Sequence, residues 1–597
     1  MTTPPLPWAR PITSSQLVIG LSLLTGLLAL FLLCHPYYGI RHDAVYYVLA
    51  AIRKMEPGSV DADVFFSHGS QDSFTIFTTP FCYLIKTIGL ANAAHVITRL
   101  SSLSLIIALW FLARNLLGAE LAWLSTALFI IIPGHYGAGG IFRYDEDFAT
   151  PRTLAELLCI LSLNLLFLKR RWLAITSNLL AIAIHPLMGF PGLLVSLWLV
   201  SGRRTRWFLV LLSLLTTAFI IALAFTYPIG PIHIIDDQWR RVIETNEANL
   251  LVDTWSITYW QSSGVAAATL IYCALSATDA KRRNFSTAAL CVASSGIALA
   301  ALAAFFTPVH LFIEGQPWRW TWIAEIVAVI LIPPTVLSLP KIGTRGYPLT
   351  ALFIIGWFNI EDPVGIFAAG CFFFAGCVEC LGSSDLRRFF SWINWATALT
   401  LTAATLKANG VSGELRLCLV ALLIWLMLFK TTRRHFHYLA VMIGASGLLW
   451  VILNPKPIPE GWDRNFDNDN YASFSAWRQR IRPNQIVFSP ESVFLPWLML
   501  HRPEYAGKAT VVFSRDAAIE FEDQEEHYGT LFTTHDPLSV KKLITFYQME
   551  KACLFPNVAF IATRHNFEIP HLSSTAKPPY ADLKLYSCED VRTGANK

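Results

Sequence analysis

The chain has 597 residues, of which 54% are hydrophobic and only 15% charged, whereas a soluble domain carries roughly 25% charged residues. That excludes an ordinary soluble enzyme. The formal net charge of +5 sits in short clusters between apolar stretches, so it bears on orientation in a membrane and offers no surface for nucleic acid.

Apolar stretches of the length a bilayer core requires, about 20 residues, recur from Gln16 to Leu453. The first, Gln16 to Cys34, is too long for the apolar region of a signal peptide, lacks a small-residue cleavage site and leads into Cys34-His35-Pro36-Tyr37-Tyr38. A retained helix is expected. Gly39 to Ile52 then reads as a short amphipathic helix at the membrane surface, opened by Asp43 beside His42. Asp43 is either the N-cap of that helix or a general base taking a proton from an acceptor hydroxyl. The same loop continues through Asp61 and Asp63, whose carboxylates suit turn capping as well as a bound cation or a sugar hydroxyl. Phe74 to Leu90 contains Pro80 and Lys86 and is the weakest apolar stretch. It is expected to be interfacial or re-entrant, which makes 35–94 one external loop.

A second external loop, Phe142 to Arg152, brackets Asp145, Glu146 and Asp147 between Arg143 and Arg152. Arginine suits bidentate phosphate recognition, and snorkelling toward lipid headgroups is the alternative. Farther on, His185-Pro186 interrupts an apolar stretch at its outer end, where a polar side chain either has a function or is satisfied by a backbone carbonyl. Arg240-Arg241 and Arg319, the latter inside Pro317-Trp318-Arg319-Trp320, add cations on the same face, with tryptophans that also suit an interfacial belt.

Six basic clusters end apolar spans: Lys169-Arg170-Arg171, Arg203-Arg204-Thr205-Arg206, Lys281-Arg282-Arg283, Lys341 to Arg345, Arg387-Arg388 and Lys430 to Arg434. The positive-inside rule makes all six cytoplasmic. Between them lie hairpins over roughly 172–201, 207–278, 286–338, 347–381 and 389–430, and a last span, 437–453, leaves the rest of the chain outside. The expectation is a polytopic all-α transmembrane domain of about 13–15 helices over 1–454, then a soluble α/β domain over 455–597.

In that second domain strand-like runs (Gln485 to Ser489, Ala509 to Ser514, Ala559 to Thr563) alternate with helical ones (Tyr471 to Ile481, Val540 to Glu550). Cys553 and Cys588 are either a disulfide or two buried thiols. Asp463, Asn465, Asp467 and Asp469 imitate a calcium loop but lack its glycine and its final glutamate, where Phe474 stands, so a solvated linker is expected. No Walker loop, dinucleotide glycine pattern or Cys/His metal spacing is present in the sequence.

Over roughly the first 200 residues the order of features carries a resemblance. Asp43 precedes a Tyr-rich amphipathic helix, and a proline-containing segment ends in Lys86-Thr87-Ile88-Gly89. Arg99 then opens a span closed by Ala113-Arg114-Asn115-Leu116-Leu117-Gly118, before an Arg/Asp-bearing external loop. This resembles the polyprenyl-phosphate-dependent GT-C glycosyltransferases, such as the lipid A aminoarabinose transferases and protein O-mannosyltransferases. His42-Asp43, Asp63-Val64-Phe65-Phe66, Thr150-Pro151-Arg152 with Ala155-Glu156, and His185-Pro186-Leu187-Met188 also resemble a group of bacterial membrane proteins.

The resemblance implies an inverting transferase of the bacterial inner membrane with a periplasmic C-terminal domain. Its donor would be a polyprenyl-phosphate-linked sugar and its acceptor a lipid, glycan or protein. Asp43 would hold the place of the catalytic acid, and Arg143 and Asp145 that of a second-loop Arg-x-Asp. The donor phosphate would lie near Arg143, Arg152, His185 and Arg319, and a divalent cation would fall to Asp61, Asp63 or Glu146. Many relatives have a paired acid at the first site; here His42 stands there and shares the base role. Two other classes use the same face: a flippase or transporter of a lipid-linked saccharide, and a saccharide polymerase or ligase. No half of the chain repeats the other, which weighs against an inverted-repeat transporter.

Overall fold

The apolar stretches fold into helices whose lengths follow their apolar runs. The computed structural model describes residues 14–138, 141–408, 466, 468–491, 494–505, 511–531, 544–578 and 580–594. α1 (Ser14–Cys34) leads into α2 (Ala44–Met55), the one-turn α3 (Val64–Ser67) and α4 (Thr78–Ile88). α5 (Leu90–Leu117) and α6 (Ala119–Ile131) precede a hairpin of β1 (His135–Tyr136) and β2 (Phe142–Arg143). Then come α7 (Pro151–Phe167), α8 (Arg171–Ile184), α9 (Pro186–Val200), α10 (Arg203–Thr226) and α11 (Asp237–Asn246). α12 (Gln261–Ser276), α13 (Ala280–Phe305), α14 (His310–Glu314), α15 (Thr321–Ser338), α16 (Gly346–Phe358), α17 (Pro363–Leu381) and α18 (Ser384–Ala408) follow.

Among the described residues five stretches are long and apolar enough to cross a bilayer by length and composition: Leu90–Leu117, Arg203–Thr226, Ala280–Phe305, His310–Ile342 and Pro363–Leu381. Shorter apolar helices lie between them, including α8 and α9, which are parted by His185. The weak segment becomes α4, whose 11 residues span about 16 Å, roughly half a hydrocarbon core.

Lipid and protein compete for the same apolar side chains, so close packing decides which helix is central. α15 is buried from Thr321 to Val336 and packs between α6, α12 and α13. It accepts them because α13 presents Ser286, Ala289, Ala293, Gly296, Ala300 and Ala303 along one buried face. At Gly296 a Cβ would run into the Pro317 carbonyl and the Trp320 side chain. α10 is the opposite case: Ala224 is its one buried residue, and its leucines and phenylalanines face outward.

The C-terminal part carries a four-stranded sheet of β3 (Ile486–Phe488), β4 (Val558–Thr563), β5 (Leu572–Ser573) and β6 (Lys584–Ser587) in the order β3-β4-β6-β5. β3 pairs with β4 in parallel and the other pairs are antiparallel. Helices over Phe546–Ala552 and Cys588–Gly594 pack against it, joined by a Cys553–Cys588 disulfide. Of the expected strand over 509–514 the described residues begin at 511, where 511–513 form a turn, and the Val511 and Val512 carbonyls serve the helical domain. Trp239 Nε1 donates to the Val511 carbonyl at 2.8 Å, and His310 Nε2 bonds the Val512 carbonyl at 2.7 Å. The last span over 437–453, the cluster Lys430 to Arg434, the boundary at 454–455 and the calcium-like positions Asp463, Asn465 and Asp467 lie outside the described residues. Asp469 pairs with Lys577 at 3.2 Å on the surface.

Candidate functional site

Three turns set the site. Thr150 caps α7 by accepting from the Arg152 amide, and Pro151 takes the first helical position, where its missing N–H costs nothing. That start aims Arg152 back at the preceding loop. His42 adopts φ +50°, turning the chain ahead of Asp43, and Gln316 adopts φ +40° next to Pro317. Left-handed backbone at residues other than glycine concentrates at functional sites, and Asp145, at φ +69°, is the third such position here.

Asp43 occupies the N-cap position of α2 but makes no side-chain cap hydrogen bond. Its Oδ2 instead accepts from Arg152 Nη1 at 2.5 Å, and its Oδ1 lies 2.9 Å from His42 Nδ1. Arg152 Nη2 donates to Glu146 Oε1 at 2.9 Å, and the guanidinium lies 4.7 Å from the Phe142 ring centroid. Arg152 is 1% exposed, so this is a buried charge bridging two carboxylates. Burial opposes an ionised Asp43, but Arg152 and His42 outweigh it and hold the carboxyl well below the usual carboxylate range. For His42 the balance runs the other way: burial lowers its pKa, and Asp43 raises it by more. Glu146 is pushed up by burial despite Arg152.

Asp43 and Arg152 open on a cavity of about 230 Å³. Tyr47, His185, Glu314, Gln316 and Arg319 also line it, and Phe74, Pro186, Leu187, Pro231, Leu311 and Phe513 form apolar walls. Arg319 is buried 4.0 Å from the Phe142 ring centroid, and its Nε donates to Gln316 Oε1 at 2.7 Å. His185 Nδ1 is buried with no hydrogen-bond partner among the described residues. The arrangement joins an ionised acid, a cation and an imidazole nitrogen without a hydrogen-bond partner among the described residues on the wall of one largely apolar chamber.

The structure therefore brings Asp43, His42, Arg152, His185 and Arg319 together. Glu146 stands behind Arg152. Arg143 and Asp145 do not line the cavity; they face His35, at 3.5 Å from Arg143 Nη2 and 3.8 Å from Asp145 Oδ2. Asp61 accepts from Arg53 Nε at 2.5 Å and from the Gly58 amide at 2.8 Å. Asp63 caps α3 through the Phe65 amide and accepts from Trp497 Nε1 at 2.6 Å and the Glu504 amide at 3.0 Å. With Asp61 and Asp63 in these bonds and Glu146 on Arg152, the three carboxylates proposed for a cation are engaged by N–H donors and stand apart from one another. Among the described residues no three His, Cys, Asp or Glu side chains gather as a metal site would need.

Glu314, Gln316 and Phe513 are cavity residues that sequence reasoning missed. Glu314 had a signal, being the one acid in the stretch Thr307 to Trp320. Phe513 had none, because it reaches the cavity from the C-terminal domain and stacks on Phe74 at 5.8 Å.

No protein-family model matches the chain, and no curated protein sequence does. Among solved structures the chain is similar to ArnT from Cupriavidus metallidurans in the apo state, with 12% identity, a TM-score of 0.39, and coverage of 96% of this chain and 98% of that one. It is also similar to the archaeal oligosaccharyltransferase AglB from Archaeoglobus fulgidus in complex with an inhibitory peptide and a dolichol-phosphate. That match has 11% identity and a TM-score of 0.33, and covers 92% of this chain and 69% of that one. At such TM-scores the chemistry rests on the cavity itself.

Proposed function

We propose that this protein transfers a sugar from a polyprenyl-phosphate donor to a hydroxyl-bearing acceptor at the cavity beside Asp43, on the extracytoplasmic face of a bacterial inner membrane. The carrying observation is that an ionised Asp43 lines one cavity together with Arg319, His185 and a set of apolar side chains. The isoprenoid belongs along Phe74, Leu187, Leu311 and Phe513, with the donor phosphate against Arg319 and His185. Arg152, which the sequence reading gave to the phosphate, has both terminal nitrogens engaged by Asp43 and Glu146, so its part is to orient and ionise Asp43.

In the reaction Asp43, with His42 beside it, takes the proton from the acceptor hydroxyl. The acceptor oxygen forms a bond to the anomeric carbon as the bond from that carbon to the phosphate oxygen breaks, which inverts the configuration. The charge released on the phosphate is met by Arg319, a preorganised cation in a water-poor site. The C-terminal domain, from 455 on, closes the chamber through Phe513.

The test is transfer of radiolabelled sugar from a panel of polyprenyl-phosphate sugars to total membrane lipid and glycan by the purified protein in nanodiscs. Transfer from one donor, weakened in Arg319→Ala through kcat as well as the donor KM, is expected. No transfer with any donor, together with movement of a labelled lipid-linked saccharide across the bilayer, would make the protein a flippase instead.

A further inference from the structure

A second cavity of about 290 Å³ adjoins the first and shares Thr75 with it. Its wall includes Arg53, Lys54, Asp61, Asp72, Thr75 and Thr78. We infer that it is the acceptor subsite, built for a neutral, hydroxyl-rich saccharide. The inference rests on the transferase reading for the word acceptor, and on the cavity alone for the word saccharide.

α2 makes the two cavities one surface. Asp43 and Tyr47 line the first, and Ala50, Arg53 and Lys54 the second, so positions 43, 47, 50 and 54 follow the helical period along one face. Seven residues of helix separate Asp43 from Ala50, a rise of about 10 Å. The turn Gln71–Phe74 makes the same bridge from the other side, with Gln71 on the first cavity and Asp72 on the second. The two cavities therefore lie next to each other along one face of α2, with Thr75 between them.

The chemistry of the wall selects the ligand. Two cations and two carboxylates balance, so either a phosphate or an ammonium would meet as much repulsion as attraction. Hydroxyls suit both, donating to the carboxylates and accepting from the cations. Arg53 is tied to Asp61 at 2.5 Å and lies 3.8 Å from Asp72. Lys54 Nζ donates to the Thr79 hydroxyl at 2.6 Å and joins no ion pair among the described residues. The Thr78 side chain is 6% exposed, lines the cavity, and its Oγ1 has no hydrogen-bond partner among the described residues. A buried hydroxyl left unpaired costs stability, and a ligand hydroxyl would satisfy it.

The test is saturation-transfer NMR on the full-length protein in nanodiscs, with methyl glycosides of gluco, galacto, manno and N-acetylglucosamine configuration as probes and inorganic phosphate as competitor. At least one glycoside is expected to bind. Its affinity should fall about fivefold in Thr78→Val and in Asp72→Asn, the loss of roughly one hydrogen bond, and stay unchanged in Arg515→Ala. Thr78→Val keeps the side-chain shape and removes an unpaired polar atom, so its melting temperature should hold or rise, which separates binding from folding. No glycoside binding, binding indifferent to both variants, or displacement by phosphate would overturn the subsite. Glycoside binding that obeys the variants while no donor supports transfer would sink the transferase reading and keep the saccharide site.

Discussion

Two aspartates of the same loop, Asp43 and Asp63, are both drawn out of bulk water and are shifted in opposite directions. Asp43 meets a guanidinium and an imidazole and is held ionised, well below the usual carboxylate range, against the cost of burial. Asp63 meets only neutral donors, the Phe65 and Glu504 amides and the Trp497 indole. Burial outweighs these donors and pushes its carboxyl up to about 6. The charge of the partner, more than burial, decides whether a carboxyl is ready for proton chemistry or serves as an anchor. The first acid faces a cavity, and the second fastens the C-terminal domain to the loop that carries the first.

The strongest way to break the contrast is to remove the cation. Arg152→Ala leaves Asp43 and Glu146 buried without their counterion and should cost about 3–5 kcal/mol, read as a lower midpoint in heating followed by size-exclusion of the solubilised protein. Arg152→Lys should recover only part of this, because one ammonium cannot reproduce a fork spanning two carboxylates. An unchanged midpoint in Arg152→Ala would mean that the buried bridge is not a stabilising element.

The second test titrates the anchor. Asp63 has a docked pKa of about 6 against an ordinary value of 3.8, so between those values the docked form binds more protons than the undocked one. Docking is therefore strongest below about pH 4 and weakens as pH rises to about 6, by on the order of 3 kcal/mol. Glu504, pushed well above its ordinary range by burial with Asp63 adding to the effect, extends the weakening upward in pH. Hydrogen exchange of residues 495–505 should quicken across that window, and Asp63→Asn should flatten the dependence. Exchange that slows as pH rises, after correction for its intrinsic rate, would reverse the assignment.

A smaller effect is expected from Trp497→Phe. It deletes one donor to Asp63 and should loosen docking by about 1–2 kcal/mol, again in exchange of 495–505. The smallest belongs to Arg515→Ala, which removes a 2.6 Å pair with Asp236 at the exposed edge of the same interface. Surface pairs contribute about 0–1 kcal/mol, so docking should hardly change, and a larger loss would relocate the anchor from Asp63 to this edge.

The apolar spans and the His185-Pro186 break were legible because a bilayer imposes length and a proline imposes an end. Asp43 was legible as an acid placed at a membrane surface, but its choice between capping and chemistry was not, since the deciding residue, Arg152, lies 109 positions away. Asp61 and Asp63 looked alike in sequence and differ in the fold. One closes a turn with Arg53 and Gly58, and the other reaches Trp497, 434 positions on. Ala509 to Ser514 reads as a strand because valine favours strands, and the side chains of Trp239 and His310 bond the carbonyls of Val511 and Val512 instead. Phe513 reaches the cavity through such a long-range contact, for which a local pattern holds no signal.

The most direct measurement compares sugar transfer from the best polyprenyl-phosphate donor by Asp43→Asn and Asp63→Asn, at matched expression and neutral pH. Asp43→Asn should cut transfer by about 10²–10⁴-fold with the fold intact, while Asp63→Asn should keep transfer near the wild-type rate. Equal loss in the two variants, or transfer surviving in Asp43→Asn, would contradict the assignment of Asp43 as the base.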